Sequence, residues 1–492
     1  MKDLKEKTIR GGFARVTAQI ANFAFRIGSL MIMARLLDPQ DFGLVGMVTA
    51  FTGVLNLFRD FGLSTASVQR ENVTEEQLST LFWINVLVGV VLAIFAFAFA
   101  PLMVRIYHEP RLLAITMVLS TGFFFNALGV QHSALLQRQL RFTALAVINV
   151  VALVVSTIVA MGMAKLGFGY WALVAMTIAL PVVTTIGVWI AAAWVPGVPR
   201  HGEEIRSMMR FGGTLTLNGL VVYIAYNMEK VLLGRFWGAE AIGLYGRAYQ
   251  LINIPTENLN SSVGEVAFAA LSRVQNEPSR LRNYFLKGYS LVLAMTIPIT
   301  LMSAFFADDL IHVLLGPKWA SAAVIFRLLT PTILIFAMIN PLAWLMFALG
   351  IVGRSLKVAL VLAPIVMCGY LAGLHYGPTG VALGYSVVMT LWLIPHIAWC
   401  VHGTGVSLRD ILVTVSRPLF SGLVGAGLAF AVHYVCMPLM PALPRVIIAG
   451  VVLLAVYVGM LFYVMGQKAL YLDILRGFRK RASTEEPALA PA

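Results

Sequence analysis

Charged residues are scarce in this chain of 492 residues, where Asp, Glu, Lys and Arg together make up 12% and apolar residues 59%. Soluble domains carry roughly 25% charged residues. A soluble fold could not hide so much apolar side chain, because a compact domain still keeps a large exterior in water. The scarcity of charge therefore excludes an ordinary soluble domain and indicates a chain that lies in a lipid bilayer.

Cysteine and catalytic signatures are also lacking. The three cysteines, Cys368, Cys400 and Cys436, lie far apart and have neither metal-ligand spacing nor the arrangement of a disulfide framework. There is no Gly-rich phosphate loop, nucleophile elbow or paired-carboxylate constellation, and the histidines show no paired spacing. We therefore predict that the protein is not an enzyme and has no cofactor and no metal site.

The net charge of +14 does not indicate a nucleic-acid-binding protein. The basic residues are distributed over short loops between apolar runs instead of being gathered on one domain. Most of them fall on the side that holds both termini once alternate loops are assigned to the two sides of a membrane. The positive-inside rule then predicts that both termini are cytoplasmic.

The apolar runs predict an all-α integral membrane protein with about fourteen transmembrane helices, since a span needs roughly 20 apolar residues. The first, second, seventh and eighth spans are the least hydrophobic, because each contains charges or several amides. The predicted spans are 11–34, 41–66, 78–102, 111–136, 142–164, 169–195, 208–232, 240–268, 283–306, 319–349, 354–374, 379–402, 411–436 and 446–467.

Two matching segments indicate an internal duplication. The segment 34–46 reads ARLLDPQDFGLVG and the segment 234–246 reads GRFWGAEAIGLYG, with Arg, Gly, Leu and Gly in common at a shift of 200 residues. Both segments lie between the first two spans of a possible six-span unit. An even number of spans gives two parallel lobes related by a pseudo-twofold axis along the membrane normal, with a substrate path between them.

The duplication divides the chain into four parts. We predict an N-terminal six-helix lobe at 1–199, a C-terminal six-helix lobe at 200–405, two additional transmembrane helices at 406–467 and a basic, disordered cytoplasmic tail at 468–492. The Pro- and Gly-containing loop Val195–Glu204 is the expected joint between the lobes.

Polar residues recur at steps of three, four or seven positions on the first two spans of each lobe, which places them on one helical face. These stripes are Arg15, Gln19, Asn22 and Arg26; Thr49, Thr52, Asn56 and Arg59; Thr216, Tyr223, Asn227 and Lys230; and Arg247, Gln250, Asn253, Glu257 and Asn260. Charge at membrane depth is costly and usually faces a bundle interior or an aqueous cavity. The stripes therefore predict a cleft lined by spans one, two, seven and eight.

Simple charge pairing is the alternative interpretation of several of these residues. Arg59 could pair with adjacent Asp60, and Lys230 with adjacent Glu229. The acidic residues Asp60, Glu257 and Glu265 are candidates for binding a coupling proton or cation, and could equally serve only to neutralise arginines.

The segment Ala34–Val48, followed by Phe58–Gln69 (FRDFGLSTASVQ), resembles the Wzx-type polysaccharide flippases of the multidrug/oligosaccharidyl-lipid/polysaccharide (MOP) exporter superfamily. Within that family the chain looks most like the lipopolysaccharide and colanic-acid exporters, and the resemblance covers essentially the whole chain. It implies a protein of the bacterial cytoplasmic (inner) membrane. Such a protein moves an undecaprenyl-diphosphate-linked oligosaccharide across that membrane by alternating access, among membrane lipids and possible glycan polymerase or assembly partners.

The resemblance gives the polar stripes a substrate. Arginines suit phosphate because the guanidinium can donate two parallel hydrogen bonds, whereas amides and hydroxyls suit sugar hydroxyl groups. The residues predicted to bind substrate are Arg26, Arg59, Arg247, Asn22, Asn56, Tyr223, Asn227 and Gln250.

Three alternatives remain at this point. A drug or cation antiporter of the same superfamily shares the architecture, although a cationic cleft repels organic cations. A lipid II flippase also has a cationic cleft, and only the segment 34–69 argues against it. A membrane glycan polymerase or ligase usually needs a sizeable periplasmic loop, whereas the longest predicted outward loop, about Ala307–Lys318, is short.

Overall fold

The structure is a computed structural model that describes residues 23–59, 74–199, 203–436, 440–469 and 471. Those residues are helical almost throughout and contain no strand, which confirms the prediction of an all-α protein. The first helices are α1 (residues 23–36), α2 (Pro39–Leu57), α3 (Glu75–Tyr107), α4 (Leu112–Arg138), α5 (Phe142–Lys165), α6 (Tyr170–Ala192) and α7 (residues 203–237).

The remaining helices follow a break at Gly238, whose φ of 81° and ψ of −172° interrupt a continuous helical run. A positive φ of this kind is tolerated by glycine because it has no Cβ. These helices are α8 (residues 239–273), α9 (Pro278–Phe305), α10 (Ala307–Leu314), α11 (Ala322–Leu329), α12 (Pro331–Ala348), α13 (Val352–Leu374), α14 (Gly377–Val401), α15 (Leu408–Cys436) and α16 (Ala442–Gly459).

Ten candidate membrane spans occur among the described residues, and they coincide with predicted spans three to six and nine to fourteen. The predicted tenth span consists of α11 and α12, which meet at Thr330. The other four predicted spans correspond to α1, α2, α7 and α8, which are helical where described but carry the polar stripes that lower their hydropathy. The total of fourteen spans therefore remains a prediction.

The described residues pack as two compact units. The first contains the residues up to Gly246 together with Leu314–Trp319, and the second contains Arg247–Val313 and the residues from Ala320 onward. This division by packing does not test the predicted lobe boundaries, which remain predictions.

The segment Leu314–Trp319 belongs to the first unit because its end is bonded to the turn between α1 and α2. The indole of Trp319 donates to the carbonyl oxygen of Ala34 at 2.7 Å, and its ring meets Phe42 edge to face. Lys318 forms an ion pair with Asp38 at 2.7 Å. Asp38 also precedes Pro39 at the start of α2, where proline has no N–H to satisfy.

The two copies of the repeated segment pack against each other within the first unit. A Cβ atom placed on Gly43 would lie 1.6 Å from the carbonyl oxygen of Ala239, and one on Gly243 would lie 1.8 Å from that of Pro39. The two approaches are reciprocal, because each partner is displaced from its counterpart by the same 200 residues as the sequence repeat. Glycine is required at both positions because any side chain would force the two backbones apart.

The first half of the predicted joint is attached to the first unit. The indole of Trp83 donates to the carbonyl oxygen of Gly197 at 2.9 Å, and the Gly197 N–H donates to Ser79 Oγ at 2.9 Å. The His132 ring lies 3.1 Å from the carbonyl oxygen of Trp194 and stacks on Trp189. The chain is therefore held on α3 and α4 as far as Gly197.

In the second unit, α15 is bonded to the start of α9 and to α10, the short helix that directly follows α9. Near the start of both helices, Arg282 Nε donates to Asp410 Oδ2 at 2.8 Å. Beyond the end of α9, Asp309 accepts from Arg445 at 2.6 Å and lies 2.6 Å from His433 near the end of α15. The helices α9 and α15 consequently run in the same direction, as expected for predicted spans nine and thirteen.

Candidate functional site

Arg59 follows the last turn of α2 and reaches α4. Its Nη1 atom donates to Asn126 Oδ1 across 3.4 Å, which is a long contact for a guanidinium. Its Nε atom is buried and has no hydrogen-bond partner among the described residues. Asn56, one turn earlier on α2, is exposed and donates to the carbonyl oxygen of Thr52 at 3.0 Å. The guanidinium thus makes one long hydrogen bond and leaves its Nε donor unpaired among the described residues.

Sequence reasoning did not identify Asn126 as part of this group. Its Nδ2 atom donates to the Gly122 carbonyl oxygen at 3.1 Å, which leaves Oδ1 for Arg59. The available signal was a single amide directly after the three phenylalanines Phe123–Phe125 in an apolar run. Periodicity could not find it, because one polar residue has no period.

The stripe on α7 forms a continuous chain of hydrogen bonds. Lys230 Nζ donates to Asn227 Oδ1 at 2.7 Å, and Asn227 Nδ2 donates to the carbonyl oxygen of Tyr223 at 3.0 Å. The spacing of three and four residues therefore places these side chains on one helical face, as the sequence predicts.

Tyr223 brings the α7 stripe to α2 within the first unit. Its hydroxyl donates to the Ala50 carbonyl oxygen at 3.3 Å, and the Thr49 carbonyl oxygen is 3.5 Å away. Gly53 makes room for the phenol, because a Cβ atom on Gly53 would lie 1.8 Å from the Tyr223 hydroxyl oxygen. Two of the predicted stripes therefore meet at the middle of α2.

The pairing of Glu229 with Lys230, one of the two interpretations left open by the sequence, stays a prediction, because the two charges attract each other but no hydrogen bond joins them. The Lys230 ammonium is bonded to Asn227, and neither carboxyl oxygen of Glu229 has a hydrogen-bond partner among the described residues. Neighbouring residues on a helix point in directions about 100° apart and do not face each other. Adjacency in the sequence therefore does not by itself bring the two side chains into a hydrogen bond.

The predicted arginines of the first and eighth spans have different surroundings. Arg26 on α1 is exposed. Arg247, at the start of the second unit, is half-buried and donates through Nη1 to Gln250 Oε1 one turn later on α8. These two predicted residues of α8 are thus brought together.

Several predicted residues lie outside the described part of the structure. Asn22 and Asp60 fall outside the described ranges, and the side chains of Glu257 and Glu265 are not described. The pairing of Arg59 with Asp60 and the role of these acids in ion coupling therefore stay predictions.

The described arrangement suits an anionic, hydroxyl-rich ligand. In the first unit, Arg59 offers guanidinium donors, and Asn56, Asn126, Asn227 and Tyr223 offer amides and a hydroxyl that can both donate and accept. None of these groups is a nucleophile placed beside a base. The chemistry available from these residues is recognition by charge and hydrogen bonding.

The fold is similar to that of a multi-helix membrane protein of known structure. A solved structure of the lipid II flippase MurJ, in an inward closed conformation, matches with a TM-score of 0.73 over 93% of this chain and 99% of that one, at 15% identity. A likeness at this identity defines the fold alone.

The chain belongs to the family described as polysaccharide biosynthesis protein, whose model matches residues 32–324. The lipopolysaccharide biosynthesis protein WzxC of Escherichia coli is 26% identical over 85% of this chain and 86% of its own length. The teichuronic acid biosynthesis protein TuaB of Bacillus subtilis is 29% identical over 68% of each chain. The resemblance that the segment 34–69 carries is thereby confirmed.

Proposed function

We propose that this protein translocates an undecaprenyl-diphosphate-linked oligosaccharide, the repeat unit of a surface polysaccharide, across the bacterial cytoplasmic membrane by alternating access. Family membership supports the polysaccharide, because the family is described as polysaccharide biosynthesis protein and the two relatives are named for lipopolysaccharide and teichuronic acid biosynthesis. The observation that carries the ligand chemistry is Arg59, whose buried Nε atom has no hydrogen-bond partner among the described residues and whose neighbours are amides.

The energetics of the substrate require such a group of residues. Burying a sugar hydroxyl without a hydrogen bond costs roughly 2–7 kcal/mol, and the diphosphate adds charge that hydrocarbon does not accept. Amides at Asn56, Asn126 and Asn227 replace lost water at the hydroxyls, and a guanidinium can grip a phosphate through two hydrogen bonds. Arg26 and Arg247, with Asn22, Tyr223 and Gln250, complete the proposed set.

The remaining parts of the proposal concern topology and partners. Both termini are cytoplasmic, and the two lobes rock about the cleft that the stripes line. Membrane lipids surround the protein, and glycan polymerase or assembly proteins take over the product. The acids Asp60, Glu257 and Glu265 are retained as candidates for ion coupling.

The alternative functions have less support. The lipid II flippase MurJ shares the fold, but at 15% identity its substrate does not transfer to this chain. A drug or cation antiporter would need a cleft that attracts organic cations, whereas the described part of the polar stripes presents guanidinium and ammonium groups at Arg26, Arg59 and Lys230.

Complementation of a deletion strain in the native host tests the proposal. Wild type, Arg59→Ala, Arg59→Lys and Asn126→Ala are compared for surface polysaccharide, lipid-linked oligosaccharide retained on the cytoplasmic side, and protein level. A hydrogen bond to a charged group is worth about 1.5–3 kcal/mol, so we expect translocation to fall roughly 10- to 100-fold in Arg59→Ala. We expect Arg59→Lys to retain only part of the wild-type translocation, because lysine lacks the planar guanidinium group that donates two parallel hydrogen bonds.

The matched control is Arg409→Ala, because Arg409 is an exposed arginine near the start of α15. An arginine with structural contacts, such as Arg354, would not serve as a control, since its guanidinium donates to the backbone carbonyl oxygens of Trp399, Cys400 and His402. A deletion that leaves surface glycan intact and changes drug tolerance would favour the antiporter. Normal translocation in both Arg59 variants would leave the family unchanged and remove Arg59 from the site.

A further inference from the structure

Glu229 on α7 is buried in a way that the function proposed above does not explain. Its exposed fraction is 1%, and both carboxyl oxygens are buried without a hydrogen-bond partner among the described residues. Other described acids are paired: Asp309 binds Arg445 and His433, Asp410 binds Arg282, and Glu109 binds Arg111. The burial of a carboxyl group without a hydrogen-bond partner therefore needs a chemical explanation.

Lys230 attracts the Glu229 carboxyl group electrostatically but makes no hydrogen bond to it. Lys230 follows it directly in the sequence, but its ammonium donates to Asn227 Oδ1 at 2.7 Å. Lys230 and Tyr223 are the titratable groups that interact electrostatically with Glu229 among the described residues. From α3, Tyr107 packs on Gly234, a little over one turn further along α7.

An ionised carboxylate is strongly destabilised where neither water nor a hydrogen-bond donor reaches it. The neutral acid is far less costly to bury, since it only forgoes hydrogen bonds. Glu229 is therefore stable in the buried state when it carries a proton, and it becomes stable as a carboxylate once water reaches it. The same side chain thus has two states that differ by one proton and by access to solvent.

We propose that Glu229 is a proton-binding site that couples proton movement to transport. In the state seen here the carboxyl holds the proton on one oxygen. When the site opens to water, that O–H bond breaks, the proton passes to a water molecule, and the carboxylate remains with its charge hydrated. The coupling step rests on the proposed flippase function, whereas the protonation of Glu229 does not.

Infrared difference spectroscopy tests the protonation directly on the purified full-length protein. The carbonyl stretch of a neutral carboxylic acid is distinct from that of a carboxylate, so a pH titration reports buried protonated acids. We expect one such band in wild type to be absent from Glu229→Gln, which is neutral and nearly isosteric, and to persist in Glu240→Gln. Glu240 is the matched control, because it is an exposed glutamate of the same unit. An unchanged spectrum in Glu229→Gln overturns the proposal.

Translocation under an imposed pH gradient tests the coupling. Inverted membrane vesicles from the host, containing its own lipid-linked oligosaccharide, are assayed for oligosaccharide that becomes protected in the lumen. A gradient of one pH unit shifts the equilibrium about tenfold for each coupled proton. We expect this tenfold response in wild type and Glu240→Gln, a retained response in Glu229→Asp, and loss of the response in Glu229→Gln at normal protein level.

The two assays separate the failure of each proposal. A gradient response in Glu229→Gln equal to that of wild type overturns the coupling role and leaves the flippase function in place. If wild-type vesicles translocate no oligosaccharide under any gradient, the proposed function and the coupling fail together. The infrared band then decides whether Glu229 still binds a proton.

Discussion

Gly43 lies against the carbonyl oxygen of Ala239, and the contact is repeated with the partners exchanged where Gly243 meets Pro39. Each position corresponds to its counterpart through the sequence repeat, so the two copies of one segment have become partners in one helix crossing. Such reciprocal contact is the arrangement of an isologous interface, in which the same surface meets itself. The symmetry of the whole lobes remains a prediction, since this crossing concerns four residues.

The crossing predicts that Gly43→Ala and Gly243→Ala are destabilising to a similar degree. Alanine in a helix gains up to about 1 kcal/mol over glycine, but overpacking against backbone costs about 1–3 kcal/mol. The distances of 1.6 and 1.8 Å to carbonyl oxygens mean that the second effect prevails. The apparent unfolding temperature of the purified protein in detergent measures the result.

Gly246→Ala is the control, because a Cβ atom there meets nothing within 4 Å although the residue belongs to the same repeated motif. We expect it to be neutral or slightly stabilising. Equal unfolding temperatures for all three variants would show that the two helices can separate to admit a methyl group without loss of stability.

The contact between Gly53 and Tyr223 predicts that substitutions at these two positions affect translocation through the same interaction. In Gly53→Ala the new methyl group displaces the phenol from the Ala50 carbonyl oxygen, so translocation is expected to fall at least as far as in Tyr223→Phe. A hydrogen bond of this kind contributes about 0.5–1.5 kcal/mol. In a Tyr223→Ala background, Gly53→Ala should add little further loss, which a double-mutant cycle of transport rates measures.

Gly28→Ala on α1 provides the comparison for that cycle, since a Cβ atom there meets nothing within 4 Å. Additive losses for Gly53→Ala and Tyr223→Ala would contradict the contact. They would mean that the two residues affect transport independently.

The difference between sequence and structure is largest where contact depends on tertiary packing. Apolar runs were sufficient for the ten spans with high hydropathy, and the interval between 232 and 240 contains the break at Gly238. The stripe from Tyr223 to Lys230 was predictable, because it follows helical periodicity. The role of Asn126 was not predictable, because a single polar side chain has no period and its partner Arg59 lies beyond another helix. The lack of a hydrogen-bond partner for Glu229 among the described residues was not predictable either, because it depends on tertiary packing.

Substitutions of the adjacent residues Asp308 and Asp309 are expected to differ in their effect on stability. The Asp309 side chain is 11% exposed and that of Arg445 is 14% exposed, so Asp309→Asn removes the carboxylate from a largely buried ion pair. Breaking a buried pair costs about 3–5 kcal/mol, and we expect a marked fall in the unfolding temperature. Asp308→Asn breaks only the exposed pair with Arg327, where the cost is about 0–1 kcal/mol.

The double variant Asp309→Asn with Arg445→Met should recover part of the loss, because it removes the buried charge that the single variant leaves behind. Equal unfolding temperatures for Asp308→Asn and Asp309→Asn would contradict the burial of this cluster.

The bonds that hold Gly197 predict how fast a protease cleaves the adjoining part of the predicted joint. Loss of both side-chain contacts in the variant Ser79→Ala with Trp83→Phe should free the chain up to Trp194, and trypsin should cleave after Arg200 several-fold faster. Each bond contributes about 1 kcal/mol, so the double change is required for a clear signal. Ser416→Ala, which loses a bond within its own helix, should cleave at the wild-type rate. Equal rates in all variants would contradict a role of these two bonds in protecting the chain from cleavage.

The bonds that join α15 to α9 and to α10 make the tilt of α9 measurable from α15. A helix of 28 residues is about 42 Å long, and α15 is bonded to Arg282 near the start of α9 and to Asp309 four residues beyond its end. Because the two bonds lie so far apart, we expect α15 to tilt together with α9 and not independently of it. A spectroscopic label at Leu423, exposed on the outer side of α15, would therefore read the tilt of α9 from the lipid-facing surface, without altering any residue of the polar stripes.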